Sequence, residues 1–169
     1  MVVAAGVLAG CNPRKDDAPP SPKVAAIGGQ LPVLGAAPSW RLQDVNGKAV
    51  SSEDLEGKVV VVDFWATWCG PCRMEIPGYT ELQKKYGDQG LVIVGMSVDQ
   101  GGVELVREFG RSNKINYPLV MADEAVVAAF GGVQGIPTTF LIDRNGQIRD
   151  RKVGAMATAE YEQRIKAVL

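Results

Sequence analysis

From Trp40 onward the chain alternates between short apolar runs and amphipathic stretches. KVVVVDFWA, residues 58–66, is a continuous β-branched and aromatic run, the pattern of a strand buried on both faces. LVIVGMSV, residues 91–98, predicts a second such strand. YPLVMAD is a shorter strand candidate, and TTFLID and QIRDRKV read as two strands joined through Arg144-Asn145-Gly146. Between these runs the period changes to that of a helix. Starting at Pro71, Ile76, Tyr79, Leu82 and Tyr86 recur on one face, with Gly87 as the expected stop and Pro77 as an expected kink. VELVREFGRS, residues 103–112, places Val103, Val106 and Phe109 on one helical face. Asp123 is placed to cap a helix over residues 123–130, and Thr158 to cap one bearing Tyr161, Ile165 and Val168. Ahead of the first buried strand, WRLQDVNGKAV predicts two short strands around Asn46-Gly47. SSEDL has capping-box spacing and predicts a short helical turn over residues 51–55. Strand, helix, strand, helix, then hairpin and helix make an α/β layered fold with a mixed central sheet. No internal repeat is visible.

The first 38 residues lack this regularity. VVAAGVLAGC, residues 2–11, is too short to span a bilayer as a helix and suits the apolar core of an export signal. LAGC, Leu8 to Cys11, resembles a bacterial lipobox, which would leave Cys11 at a new N-terminus carrying lipid. No Lys or Arg precedes the run, a departure from such signals. The residues that follow are rich in Pro, Gly, Ala and charge, and read as a semi-extended tether. The expected organisation is a signal segment at 1–11, a flexible tether at 12–35 and a folded domain at 36–169.

Composition narrows the chemistry. The 169 residues carry 18 basic and 19 acidic side chains, which points neither to nucleic acid nor to an anionic membrane surface as partner. Histidine is missing altogether, which removes the commonest general base and a principal metal ligand. The chain has three cysteines, Cys11, Cys69 and Cys72. One Cys-x-x-Cys pair without histidine falls short of a structural zinc site, which takes four ligands; no metal or other cofactor is expected. As a structural disulfide the pair would close a loop of two residues and remove little entropy from the unfolded chain.

A reactive dithiol accounts for the placement better. In WATWCGPCRMEIP, residues 65–77, the pair falls where a buried strand ends and a helix begins. Free backbone N–H groups and the positive end of the helix dipole favour an anion there, so the Cys69 pKa should fall towards neutral. Cys69 is then the exposed nucleophile and Cys72, one turn into the helix, the shielded resolving thiol. Trp68 and Pro71 shape and stiffen the turn.

The stretch VVDFWATWCGPCRMEIP resembles the active site of thioredoxins. The whole layout over residues 36–169 is similar to the extracytoplasmic thioredoxin-like proteins of the TlpA/ResA type, including the early hairpin, the strand–helix segment ahead of GIPTTFLID and the final hairpin. The resemblance implies a thioredoxin fold with an N-terminal β-hairpin and a central strand–helix insertion. It places Pro137 as a cis proline facing the dithiol, with Ile136 held extended for a substrate strand. Asp63 matches the buried acid that moves protons at the second cysteine; many TlpA/ResA-type proteins have Asn there. Glu75 matches an acid close to the dithiol, although a solvated helix charge would fit the pattern nearly as well. The substrate surface is expected around Trp68, Gly70, Pro71, Ile136 and Pro137.

The implied activity is thiol–disulfide exchange, with reduction of protein disulfides outside the cytoplasm as the leading expectation. The resemblance implies a membrane electron donor of the DsbD/CcdA type, with apocytochrome c or copper-site cysteines as targets. A disulfide-forming oxidant and a non-catalytic redox-sensing or binding module are the alternatives. A peroxidase is disfavoured because Thr67 lies two residues before Cys69, whereas peroxiredoxins carry Thr or Ser three before the attacking cysteine.

Overall fold

A computed structural model describes residues 31–169. Cys11, the signal segment at 1–11 and the tether up to residue 30 lie outside the described residues. Strand β1 is Gly35–Ala36; β2 (Arg41–Gln43) and β3 (Ala49–Ser51) form the expected hairpin as a separate two-stranded sheet. Strand β4 (Val59–Trp65) leads into helix α1 (Gly70–Tyr86), followed by β5 (Leu91–Ser97), α2 (Val103–Ser112), β6 (Leu119–Met121) and α3 (Glu124–Ala129). The hairpin β7 (Thr138–Ile142) and β8 (Gln147–Val153) precedes the last helix, α4 (Thr158–Lys166). The main sheet has the order β1-β8-β7-β4-β5-β6; β4, β5 and β6 are parallel, and β7, β8 and β1 are added antiparallel.

Every residue of β4 is buried, because helices cover both faces of the sheet at its centre. Its side chains alternate between two apolar clusters. Val59, Val61 and Trp65 face Ile76, Tyr79, Leu82 and Tyr86 of α1 and Tyr161 and Ile165 of α4. Val60, Val62 and Phe64 face the opposite side with Val126, Phe130 and Phe140. The polar turn chemistry also forms as expected. Ser51 and Asp54 make the reciprocal capping box, with Asp54 Oδ2 accepting from Ser51 N at 3.0 Å and Ser51 Oγ accepting from Asp54 N at 3.4 Å. Asp123 Oδ1 caps α3 by accepting from Val126 N at 2.7 Å.

Two expectations change. Thr158 is not a side-chain cap: Ala157 holds that position, and Thr158, the first helical residue, packs against Gly78 of α1. A Cβ on Gly78 would lie 2.2 Å from Thr158 Oγ1, so tight helix approach, not capping, occupies this threonine. As expected, α1 ends at Tyr86 with Gly87 as its C-cap and holds Pro77 in its interior; Gly87 keeps a right-handed φ of −54°, a 3₁₀ turn follows over Gly87–Gln89, and Gly90 at φ 97° reverses the chain. The second change is that the packed chain begins before residue 36. Leu34 N donates to Ile148 O, Gly35 pairs with Ile148, and the Arg149 guanidinium donates to the Leu31 carbonyl. The apolar stretch LPVLGA, residues 31–36, docks here because β8 offers it an unpaired edge.

Candidate active site

The carboxyl end of β4 delivers Thr67, Trp68 and Cys69 to the first turn of α1, at the same end of the sheet as the loop that enters β7. Cys69 is the N-cap of α1 in extended conformation, and Pro71 sits in the first turn, where its missing N–H costs nothing. Cys69 and Cys72 form a disulfide with an S–S distance of 2.08 Å. Cys69 Sγ accepts a hydrogen bond from Cys72 N, a backbone donor of the first turn of α1, at 3.2 Å. In this oxidised form Cys69 is 5% exposed and Cys72 1%. The predicted order of exposure holds, but Cys69 is itself nearly covered, because the disulfide draws its sulfur inward against Cys72.

Around the dithiol the surface is apolar. Trp68 is 69% exposed, Gly70 and Pro71 are exposed, and Met74 projects from the next turn. The Ile136–Pro137 peptide is cis. Ile136 is half-buried, and its backbone N–H and C=O make no hydrogen bond among the described residues. Pro137 is buried, and its carbonyl accepts from Gly154 N, which fixes the loop to the end of β8.

The two elements that meet at the dithiol each carry a buried acid, Asp63 on β4 and Glu75 on α1. Asp63 shares the α1 face of β4 with Val61 and Trp65, between Gly95 of β5 and Thr139 of β7. Among the described residues its one side-chain hydrogen bond is from Thr139 Oγ1, at 3.3 Å. Burial, with like-charge repulsion from Glu75, pushes its pKa up to about 8 against the effect of that hydrogen bond. Glu75 is not a solvated helix charge. It is 7% exposed, and its Oε1 accepts from Met156 N at 2.8 Å, while Oε2 has no partner among the described residues. Burial raises its pKa as well, opposed by the Met156 N–H, Tyr79 and Lys152.

Three polar residues in this region carried no signal in the sequence. Asp99 ties the approach to the dithiol: its Oδ2 accepts from Thr67 N at 2.9 Å and Ser97 Oγ at 2.7 Å, and its Oδ1 accepts from Thr67 Oγ1 at 2.6 Å. A lone acid just past β5 has no local pattern that marks it. Tyr79 reads as an apolar helix position, and Thr139 as a strand residue, yet their hydroxyls lie 3.3 Å apart beside Asp63. Among the described residues no group of three or more His, Cys, Asp or Glu side chains is arranged to hold a metal ion.

The AhpC/TSA family matches residues 33–151, well over half of the chain. The chain belongs to this family. It is similar to the thioredoxin-like protein YneN of Bacillus subtilis, 35% identical over 130 residues that cover 76% of each chain. It is 31% identical over 132 residues to the thiol–disulfide oxidoreductase ResA of Bacillus thuringiensis, covering 78% of this chain and 76% of that one. A thioredoxin-family thiol:disulfide interchange protein from Chlorobium tepidum superposes with a TM-score of 0.75 at 37% identity, covering 79% of this chain and 95% of the other. Fold and family agree with the dithiol geometry: the protein is a thiol–disulfide oxidoreductase of thioredoxin fold.

Proposed function

We propose that the protein reduces disulfides in other proteins outside the cytoplasm, held at a membrane by lipid on Cys11. The observation that carries the reading is the Cys69–Cys72 pair at the start of α1, with Cys69 Sγ facing the Cys72 N–H and a buried acid, Asp63, on the same side of the sheet. In the reduced protein the Cys69 thiolate attacks a substrate disulfide and forms a mixed disulfide. Cys72 gives its proton to the Asp63 carboxylate and attacks Cys69 Sγ. The bond to the substrate sulfur breaks, and the substrate leaves with both electrons. Trp68, Gly70 and Pro71 form one wall of the docking surface, and the free backbone of Ile136, ahead of Pro137, supplies the edge for an extended substrate segment. Glu75 acts behind Cys72.

The Gly-Pro dipeptide between the cysteines supports the reducing direction, since thioredoxin with this dipeptide sits near about −270 mV. A reductase in an oxidising compartment needs a donor, and a membrane protein of the DsbD/CcdA type is proposed for that role. Apocytochrome c and copper-site cysteines are the proposed targets, because both must be reduced before they take haem or metal. No helix of the described residues is long and apolar enough to cross a membrane; attachment through lipid on Cys11 is part of this proposal. The deciding experiment is the midpoint potential of the Cys69–Cys72 pair in dithiol and glutathione buffers, run beside insulin reduction by the wild type and Cys69→Ser. A potential close to thioredoxin's, with turnover lost in Cys69→Ser, is the expected result. A potential near about −120 mV would make the protein a disulfide-forming oxidant. No turnover by the wild type would leave a redox-sensing or binding module.

A further inference from the structure

Residues 70–77, the first two turns of α1, carry two charged side chains, Arg73 and Glu75. Glu75 is 7% exposed, which leaves Arg73 as the exposed charge of this stretch. Around it Trp68, Gly70, Pro71 and Met74 are exposed and uncharged. Arg73 follows Cys69 by four residues, and its N–H donates to the Cys69 carbonyl at 3.1 Å. Residues at this spacing are neighbours on a helix surface, and helical side chains lean towards the N-terminus, so Arg73 leans over the turn that holds the nucleophile. Its guanidinium is held in place. Cζ lies 5.7 Å from the centroid of the Phe109 ring on α2, within cation–π range. Phe109 packs in turn on Trp65 at the end of β4, with ring centroids 5.3 Å apart.

The stack occupies one face of the planar guanidinium and leaves its edge donors open. No carboxylate among the described residues pairs with Arg73, whereas Arg41, Arg107, Arg149 and Arg164 each have one. A cation that is fixed, exposed and unpaired beside a reactive sulfur has its donors ready for an incoming anion. We propose that Arg73 is a specificity-determining residue, which binds a carboxylate next to the substrate disulfide and so favours disulfides with an acidic neighbour. The substrate sulfur meets Cys69 while the two oxygens of that carboxylate meet the edge of the guanidinium fork. Trp68, Pro71 and Met74 supply apolar contact and no charge, so on the α1 side of the dithiol Arg73 is the group that sorts substrates by charge. On attack, the Cys69 thiolate forms a bond to one substrate sulfur, and the other sulfur leaves as a thiolate with the electron pair of the broken S–S bond. The guanidinium stays protonated throughout.

This inference rests on the dithiol mechanism proposed above, and the test separates the two. Reduced protein is mixed by stopped flow with 5,5′-dithiobis(2-nitrobenzoate), which carries carboxylates, or with 4,4′-dithiodipyridine, which is uncharged at neutral pH. Absorbance follows thiolate release; the first release reports attack by Cys69 and the second resolution by Cys72. The readout is the ratio of first-release rates for the anionic and the neutral reagent, which cancels any general change in Cys69 reactivity. In Arg73→Ala the ratio should fall about fivefold, the factor for two unit charges about 4 Å apart in bulk water, and in Arg73→Glu it should fall further. Arg73→Lys, which keeps the charge, should retain most of the ratio. Added salt should lower the wild-type ratio more than that of Arg73→Ala. A ratio within about twofold of wild type in both Arg73→Ala and Arg73→Glu overturns the inference. So does equal slowing with both reagents, which places Arg73 at the Cys69 thiolate and not at the substrate. Absence of release from either reagent by the wild type overturns the dithiol mechanism instead.

Discussion

At the scale of the residue, Asp63 places function against stability. Its carboxyl is buried and its pKa lies near 8 in the folded, oxidised protein, against about 3.9 in an unfolded chain. Between those values the folded state keeps a proton that the unfolded state has lost, so stability falls as pH rises from about 4 to about 8, by a total on the order of 5 kcal/mol. Asp63→Asn removes this dependence. The variant should be more stable than wild type at pH 7 and above, with the gap closing towards pH 4, and should resolve mixed disulfides slowly; thermal denaturation against pH checks the first and the thiolate-release assay the second. Asp99 acts oppositely. It accepts from the Thr67 N–H, the Thr67 hydroxyl and the Ser97 hydroxyl, so Asp99→Ala leaves three donors with no acceptor and should cost about 1–3 kcal/mol per donor that water cannot reach. A fall in Tm together with slower attack by Cys69 is the expected pair of results, because the Thr67 turn sets the approach to Cys69.

At the scale of the element, α1 joins the chemistry to the core. Its first turn carries the dithiol, while Ile76, Tyr79, Leu82 and Tyr86 bury its inner face against β4. It meets α4 at Gly78, where Thr158 occupies the space a Cβ would need. Gly78→Ala would force the Thr158 side chain, and with it α4, to move, at about 1–3 kcal/mol for overpacking. Thr158→Ala in the same chain should recover most of that loss, and denaturant melts of the two single variants and the double test it. Little of this was legible along the chain. Gly78 in a helix reads as a weak helix former, and Thr158 reads as a cap, because the sequence shows each helix without its neighbour. By contrast, α2 falls on the predicted residues 103–112, since its end is marked locally by a change of period and an Asn–Lys turn.

At the scale of the whole molecule, the ends of the described chain close the structure. Gly35–Ala36 add an antiparallel strand to β8, and Arg149, paired with Asp143 at 2.7 Å, holds the Leu31 carbonyl. Arg144 at the far hairpin donates to Gly57 O, Gln89 O and Leu169 O, joining three distant segments. A chain that starts at Ala37 should therefore melt several degrees below one that starts at Leu31, since each kcal/mol is worth about 2–4 °C in a domain of this size. Its Cys69–Cys72 potential should be unchanged, because β1 lies across the sheet from β4. Calorimetry and redox titration of the two forms check both statements.

Residue order alone determined the strands, the helices, the hairpins and the dithiol at a strand-to-helix junction, because each depends on neighbours within one or two turns of chain. WCGPC and GIPTTF also named Cys69, Cys72 and Pro137 through resemblance. The tertiary structure decided what lies at right angles to the chain. It buried Glu75 against the Met156 backbone, gave Thr67 to Asp99, set Thr158 against Gly78, and drew residues 31–35 onto a free sheet edge. It also brought Asp63, Thr139 and Tyr79, taken from two strands and one helix, into one buried cluster. Such contacts depend on how far apart packed layers sit and which side chains meet between them, and neither quantity is written in any local pattern of hydrophobic and polar residues.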